Sequence, residues 1–311
     1  MQITLNKETL LRALPFLGVT ALFLLFLIND PSWFWVELWF LIEIILLTSL
    51  TRTISLKQGA LALLMGIFLG FGASFIIGSL FELIGVDGAL RSFTMPVIEE
   101  VAKVLPILVL LKSVGGIKRP RLNLSDFAFL GACSGAGFSM LEKYFWDYIS
   151  FPFTYGPHIG DLYFFSDALG VYAGGGEFGY IGHAAATVFV ALGLGLGYQL
   201  LRKKKAFWFV AAFVPFAWVS LEHIILNYYY TPNGSAITLF GGGMWTPWIL
   251  LLCLLGAITF DLFSLRQVLV KIPKLAKHLK TALSNIKDLA SLLHACKAVR
   301  GANYLAWVKQ K

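Results

Sequence analysis

Charge is scarce in this chain. Of its 311 residues only 14% are Asp, Glu, Lys or Arg, where soluble domains carry about a quarter. That deficit excludes an ordinary water-soluble fold. Cysteine is nearly absent. Cys133, Cys253 and Cys296 are the whole complement, which points to no disulfide framework. Cys133 and Cys253 fall in apolar runs and read as small apolar residues. Basic stretches interleaved with base-stacking aromatics are missing, so the net charge of +8 does not point to nucleic acid. Long alternation of apolar and polar residues is missing too, which argues against a membrane β-barrel. No HExxH run occurs, so ordinary zincin spacing gives no support.

What the chain does have is hydrocarbon. It is 58% hydrophobic with a mean hydropathy of +0.76. Runs such as Ala21–Ile28, Ile42–Leu50 and Leu61–Leu69 have no place in a soluble core of this size. A bilayer core about 30 Å thick needs about 20 apolar residues per helix. The chain divides into about eight such helices: 10–28, 33–50, 59–84, 92–111, 124–147, 179–201, 206–230 and 245–265. Pro31, Gly59, Pro120, Asn233-Gly234 and Gly241-Gly242-Gly243 punctuate them. The expected fold is all-α, a polytopic membrane bundle over 1–265 with a basic tail over 266–311. The apolar stretch 13–28 resembles a signal peptide. No small-x-small cleavage site follows it, so it reads as a retained first helix.

The connectors set orientation. Of the 25 Lys and Arg, all but Arg91, Lys103 and Lys143 lie in the N-terminus, the even-numbered connectors or the tail. The positive-inside rule then puts both termini in the cytoplasm, and the expected location is an integral position in a membrane. The outer connector at 148–178 is long, with His158, Asp161, Asp167 and Glu177 read as solvated. The tail from Arg266 to about Ala298 spaces Ile272, Leu275, Leu279, Leu283, Ile286 and Leu293 by threes and fours, with lysines among them. It reads as an amphipathic helix suited to anionic lipid. Gly66 and Gly70, Gly131 and Gly135, and Gly193 and Gly197 stand four apart and mark close helix contacts.

Five ionisable residues interrupt the apolar runs: Glu99, Glu100, Glu142, His183 and His223. Each is costly in hydrocarbon, roughly 2.5–3.5 kcal/mol for an acid. At 1.5 Å per residue the topology places all five in the outer third of the bilayer, on four different helices. Lys103 shares a face with Glu99 and Glu100, and Asn227 lies one turn beyond His223. Glu222, beside His223 but about 100° round the helix, faces elsewhere. Glu37 and Glu82 read as helix-end acids, Glu43 is deeper, and Asp261 is placed to pair with Arg266. Together the five make a catalytic or metal site the leading reading. A transporter or proton pathway is the rival, because intramembrane Glu and His also build relays. It would need polar residues across the whole thickness, and Ile107–Leu111 and Val188–Leu196 are apolar or glycine.

Glu99-Glu100-Val101-Ala102-Lys103 resembles the EExxK motif of the PrsW family of bacterial intramembrane proteases. Gly135 to Glu142 is similar to its GxGFxxxE segment, and Gly182-His183 and His223 to Asn227 are similar to its two His motifs. The resemblance covers about 92–230. The family is related to the type II CAAX prenyl proteases, from whose pattern this chain departs: Lys103 falls one residue short of the Arg position and Glu142 replaces the middle His. The resemblance implies proteolysis of a membrane-associated protein, such as an anti-sigma factor. Two mechanisms fit. In one, Glu142, His183 and His223 hold Zn²⁺ and Glu99 or Glu100 is the base. In the other there is no metal, Glu100 or Glu142 activates water, and His223 with Asn227 stabilises the oxyanion.

Overall fold

Backbone that cannot be hydrated in hydrocarbon closes its hydrogen bonds within helices. Among the described residues every regular element is a helix. The structure, a computed structural model, describes residues 31–86, 88–113, 122–145, 181–202, 207–229, 246–271 and 273–285, with scattered positions in 13–24 and 287–299. In chain order the helices are α1 (Pro31–Leu47), α2 (Leu56–Met65), a π-helical segment (Gly66–Phe71) that runs on into α3 (Gly72–Leu83), α4 (Gly88–Ser113), α5 (Leu124–Phe145), α6 (His183–Arg202), α7 (Trp208–Tyr229), α8 (Thr246–Lys271) and α9 (Pro273–Ser284).

Five stretches of the described residues are long and apolar enough to cross a membrane: Leu56–Leu83, Leu124–Glu142, His183–Leu201, Trp208–Ile225 and Trp248–Gln267. About eight were expected. α1, at 17 residues, is short of the ~20 a span needs. α4 has 26 residues but carries Glu99, Glu100 and Lys103 in its middle. Of the expected span 10–28, residues 13–21 and 24 are described and helical; the rest of it, the connector 148–178 and much of the tail lie outside the described residues. Large apolar side chains on the spans point outward, among them Phe68, Ile76, Phe213, Leu252 and Phe263. That is the surface a lipid solvent selects.

Local chemistry sets the helix ends. Ser55 caps α2, its hydroxyl accepting from Gln58 N while Gln58 Oε1 accepts from Ser55 N at 2.8 Å. This reciprocal box satisfies two otherwise orphaned donors. The expected last span, 245–265, continues to Lys271. The break falls at Pro273, whose ring fits a first helical position but not an interior one. Leu279 of α9 is buried against Leu265 and Val299, while Lys274, Lys277 and Lys280 are exposed.

α5 is the axis of the bundle. The span Leu124–Glu142 is 94% buried, and small residues let its neighbours approach to backbone contact. A Cβ at Gly137 would lie 2.1 Å from Leu63 O, and one at Gly135 would lie 2.6 Å from His183 O and 2.7 Å from Ala184 Cα. Gly135 therefore fixes how closely His183 is held to α5. Gly135→Ala is expected to wedge α5 from α6 there, at about 1–3 kcal/mol. Gly72→Ala is the control, since its Cβ would meet nothing within 4 Å. Thermal unfolding in detergent should drop for the first and hold or rise for the second.

At the end of α5 away from Glu142, buried aspartates tie the chain together. Asp126 accepts from Thr53 N, Ile54 N, Thr53 Oγ1 and Asn123 N at 2.6–2.9 Å. Asp261 does not turn along its own helix toward Arg266. It reaches α5, accepting from Leu124 N at 3.1 Å and from Ser125 N and Oγ at 2.8 and 2.7 Å. The first turn of a helix has backbone donors with no intrahelical partner, and a carboxylate there also suits the helix dipole.

Candidate functional site

The opposite end of α5 carries the Glu/His cluster, and four helices supply it. α4 brings Glu99, Glu100 and Lys103. α5 brings Phe138 and Glu142, α6 brings His183, and α7 brings His223. Glu100 and Lys103 are three residues apart, one helical turn, and their side chains meet at 2.5 Å. Ser134 Oγ of α5 donates to Lys103 O at 2.6 Å, which pins α4 to α5 at this level. Gly182 adopts φ +83° just before α6, a conformation that glycine takes without steric cost. It puts His183 at the first helical position.

The contacts form one connected chain. Lys103 Nζ lies 2.5 Å from Glu100 Oε1 and 2.8 Å from His183 Nδ1. His183 Nε2 lies 2.5 Å from Glu142 Oε2. Glu100 Oε1 also receives His223 Nδ1 at 3.0 Å. His223 Nε2 faces Glu99 Oε2 at 3.5 Å, and that oxygen is buried without a hydrogen bond among the described residues. The two imidazoles stand edge to face with centroids 5.2 Å apart. Phe138 packs on His183 at 5.1 Å and lies under the Lys103 ammonium.

Exposure gives the cluster a floor and a mouth. Lys103 and Glu100 are 0% and 1% exposed. Glu99 and His183 are each 12% exposed, and Glu142 is 21% exposed. Solvent therefore meets Glu142, His183 and Glu99 before it meets the ion pair beneath them.

All five sequence-expected residues are in this cluster. Asn227 is half-buried one turn further along α7 from His223. Glu222 looks away from it: Thr246 of α8 donates to Glu222 Oε1, and Trp218 Nε1 donates to Thr246 Oγ1 at 2.7 Å. Two residues carry more than their sequence positions indicated. Lys103 joins Glu100 to His183, 80 residues away. Glu37, read as a helix-end acid, is fully buried and accepts from Ser139 Oγ at 2.5 Å. Ser139 stands one turn before Glu142, a position that could have drawn attention to it.

The donors can be tested against a zinc ion. The expected set was Glu142, His183 and His223. The three whose ligand atoms fall within 4.8 Å of one another are Glu99, His183 and His223. Zinc ligands at about 2.0–2.2 Å in a tetrahedron stand roughly 3.3–3.5 Å apart, and Glu99 Oε2 and His223 Nε2 meet that spacing. His183 brings a nitrogen within 4.8 Å of both, while Lys103 lies against its Nδ1 and Glu142 against its Nε2. Catalytic zinc takes three protein ligands, and Glu99, His183 and His223 are three residues that could hold one. Comparison with protein-family models, with curated proteins and with solved structures finds no match to the chain.

Proposed function

We propose that the chain is an intramembrane endopeptidase that hydrolyses a peptide bond of a membrane-associated protein, with water activated by Glu99 and His223. The observation that carries this reading is the Glu99–His223 pair. Two acceptors face each other at 3.5 Å above a floor that fixes both. His223 donates its Nδ1 proton to Glu100, which turns the Nε2 lone pair toward Glu99. A water donating to both groups is oriented and polarised. Its oxygen attacks the scissile carbonyl carbon, Glu99 takes the proton, and that proton passes to the leaving amine.

Each neighbour has a part. Glu100, paired with Lys103, orients His223. Glu142 and His183, at the mouth, meet the substrate backbone. Asn227 adds a donor for the oxyanion, worth about 10²–10³-fold in such sites. The resemblance to PrsW proteases rests on these same residues and adds support for a regulator of the anti-sigma-factor kind as substrate. On this reading the chain crosses a bacterial cytoplasmic membrane about eight times with both termini inside. The site opens near the outer face, where water is at hand, and the basic tail rests on anionic lipid. In liposomes, the wild-type chain should cut members of a panel of single-span membrane proteins. Glu99→Gln at equal protein level should not, and wild-type cleavage by that variant would remove the proposed base.

A further inference from the structure

Lys103 touches both halves of the cluster, and its chemistry is one-sided. An ammonium has three donors and no acceptor. Its Nζ lies 2.8 Å from His183 Nδ1, so that nitrogen must accept. A neutral imidazole with an accepting Nδ1 carries its proton on Nε2. His183 Nε2 lies 2.5 Å from Glu142 Oε2, where a proton is wanted. The same ammonium donates to Glu100 Oε1, the oxygen that also receives His223 Nδ1–H. One buried charge thus gives the two histidines opposite tautomers. His223 is protonated on Nδ1 and accepts through Nε2. His183 accepts on Nδ1 and donates through Nε2.

We propose that Lys103 is a positioning residue that fixes His183 as the Nε2–H tautomer, making it the hydrogen-bond donor for the substrate carbonyl at the mouth. Glu142 holds that proton in the resting enzyme and gives way when a carbonyl oxygen arrives. The assignment deepens the protease reading and rests on it for the carbonyl; the tautomer itself does not depend on it. In this tautomer His183 has no nitrogen lone pair left to offer a cation. A metal ligand at Nε2 would need that nitrogen deprotonated, which places the proton on Nδ1 against an ammonium.

Burial makes the device stiff. Lys103 is fully buried, its backbone carbonyl is held by Ser134, and Phe138 closes over its ammonium. Removing Lys103 alone strands the Glu100 carboxylate, and breaking a buried pair in that way is strongly destabilising, whereas Glu100→Gln keeps an amide oxygen as acceptor for the ammonium. The informative variant therefore removes both charges, as Lys103→Met with Glu100→Gln. Glu100→Gln alone, which keeps the ammonium beside His183, is its reference.

The test is ¹⁵N-histidine NMR on the full chain in detergent micelles. The chain has five histidines, and a His183→Gln sample assigns the signal. The wild type should show His183 protonated on Nε2 and His223 protonated on Nδ1. Glu100→Gln should leave the His183 signal in place. The double variant should shift it toward a mixture of tautomers. Protonation of His183 on Nδ1 in the wild type would overturn the proposal, as would an unchanged His183 signal in a folded double variant. The spectra separate this idea from the protease reading. The expected tautomers with no cleavage of any membrane protein would sink the second and keep the tautomer lock, while cleavage with His183 protonated on Nδ1 would do the reverse.

Discussion

If the chain is the protease proposed, Glu99→Gln and His223→Ala should each lower the cleavage rate by about 10³-fold or more, and the double variant should fall little further. Groups that act as one unit lose most of their effect when either is removed, so their penalties do not add. Glu99 and His223 satisfy that description because each alone offers a water only one of two acceptors. Their 3.5 Å separation is wide for a direct hydrogen bond and leaves the pair open to a shared proton or a bridging water. Substitution of Glu222, on the same helix but turned to Thr246, tests the alternative that any buried acid on α7 matters. Glu222→Gln keeps an acceptor for Thr246 and should retain cleavage within a few-fold. Single-turnover rates in liposomes, normalised to folded protein, make the comparison. Additive losses in the double variant would mean that the two groups act at separate steps.

The site was legible where chemistry repeats at helical spacing. Glu99, Glu100 and Lys103 lie within one turn, and a costly acid in hydrocarbon asks for a reason wherever it falls. His183 and His223 were legible for the same cause, being polar groups in apolar runs at a matching depth. What could not be read was direction across helices. Lys103 shares a face with both acids in the sequence, but its reach to His183 is a property of how α4, α5 and α6 pack. The hydrogen-bond partnering of His183 with Glu142 escaped notice likewise. Glu37 was set aside because helix-end acids are common, although Ser139 makes it a buried one. The expected span count meets five long apolar stretches among the described residues. The charges that single out α4 also take it out of the apolar class, and α1 is short of a full span.

Asp126→Ala should destabilise the bundle strongly, while leaving the geometry of the Glu/His cluster unchanged. Nothing in the sequence singled out Asp126, because one acid in the first turn of a helix is ordinary. Its environment is not ordinary. Both oxygens are fully engaged, and three of the four donors are backbone N–H groups, those of Thr53, Ile54 and Asn123. Alanine leaves all three buried without an acceptor, at about 1–3 kcal/mol apiece, or roughly 3–9 kcal/mol for the three together. The neighbouring bonds are coupled to it. Thr51 Oγ1 pairs with Ser125 Oγ at 2.6 Å, and Ser125 in turn donates to Asp261. Asp126→Asn is the gentler companion. It keeps one oxygen but turns an NH₂ toward two donors, so it should recover only part of the loss. Asp126 and Glu142 are 16 positions apart on one helix, roughly 24 Å at 1.5 Å per residue. The Glu/His cluster is therefore beyond direct reach. Unfolding by heat or denaturing detergent should show the drop, and the histidine spectra of the remaining folded protein should match the wild type. A wild-type unfolding midpoint for Asp126→Ala would mean that water or a shifted side chain replaces the carboxylate, and that the knot at this end does not hold the helices in place.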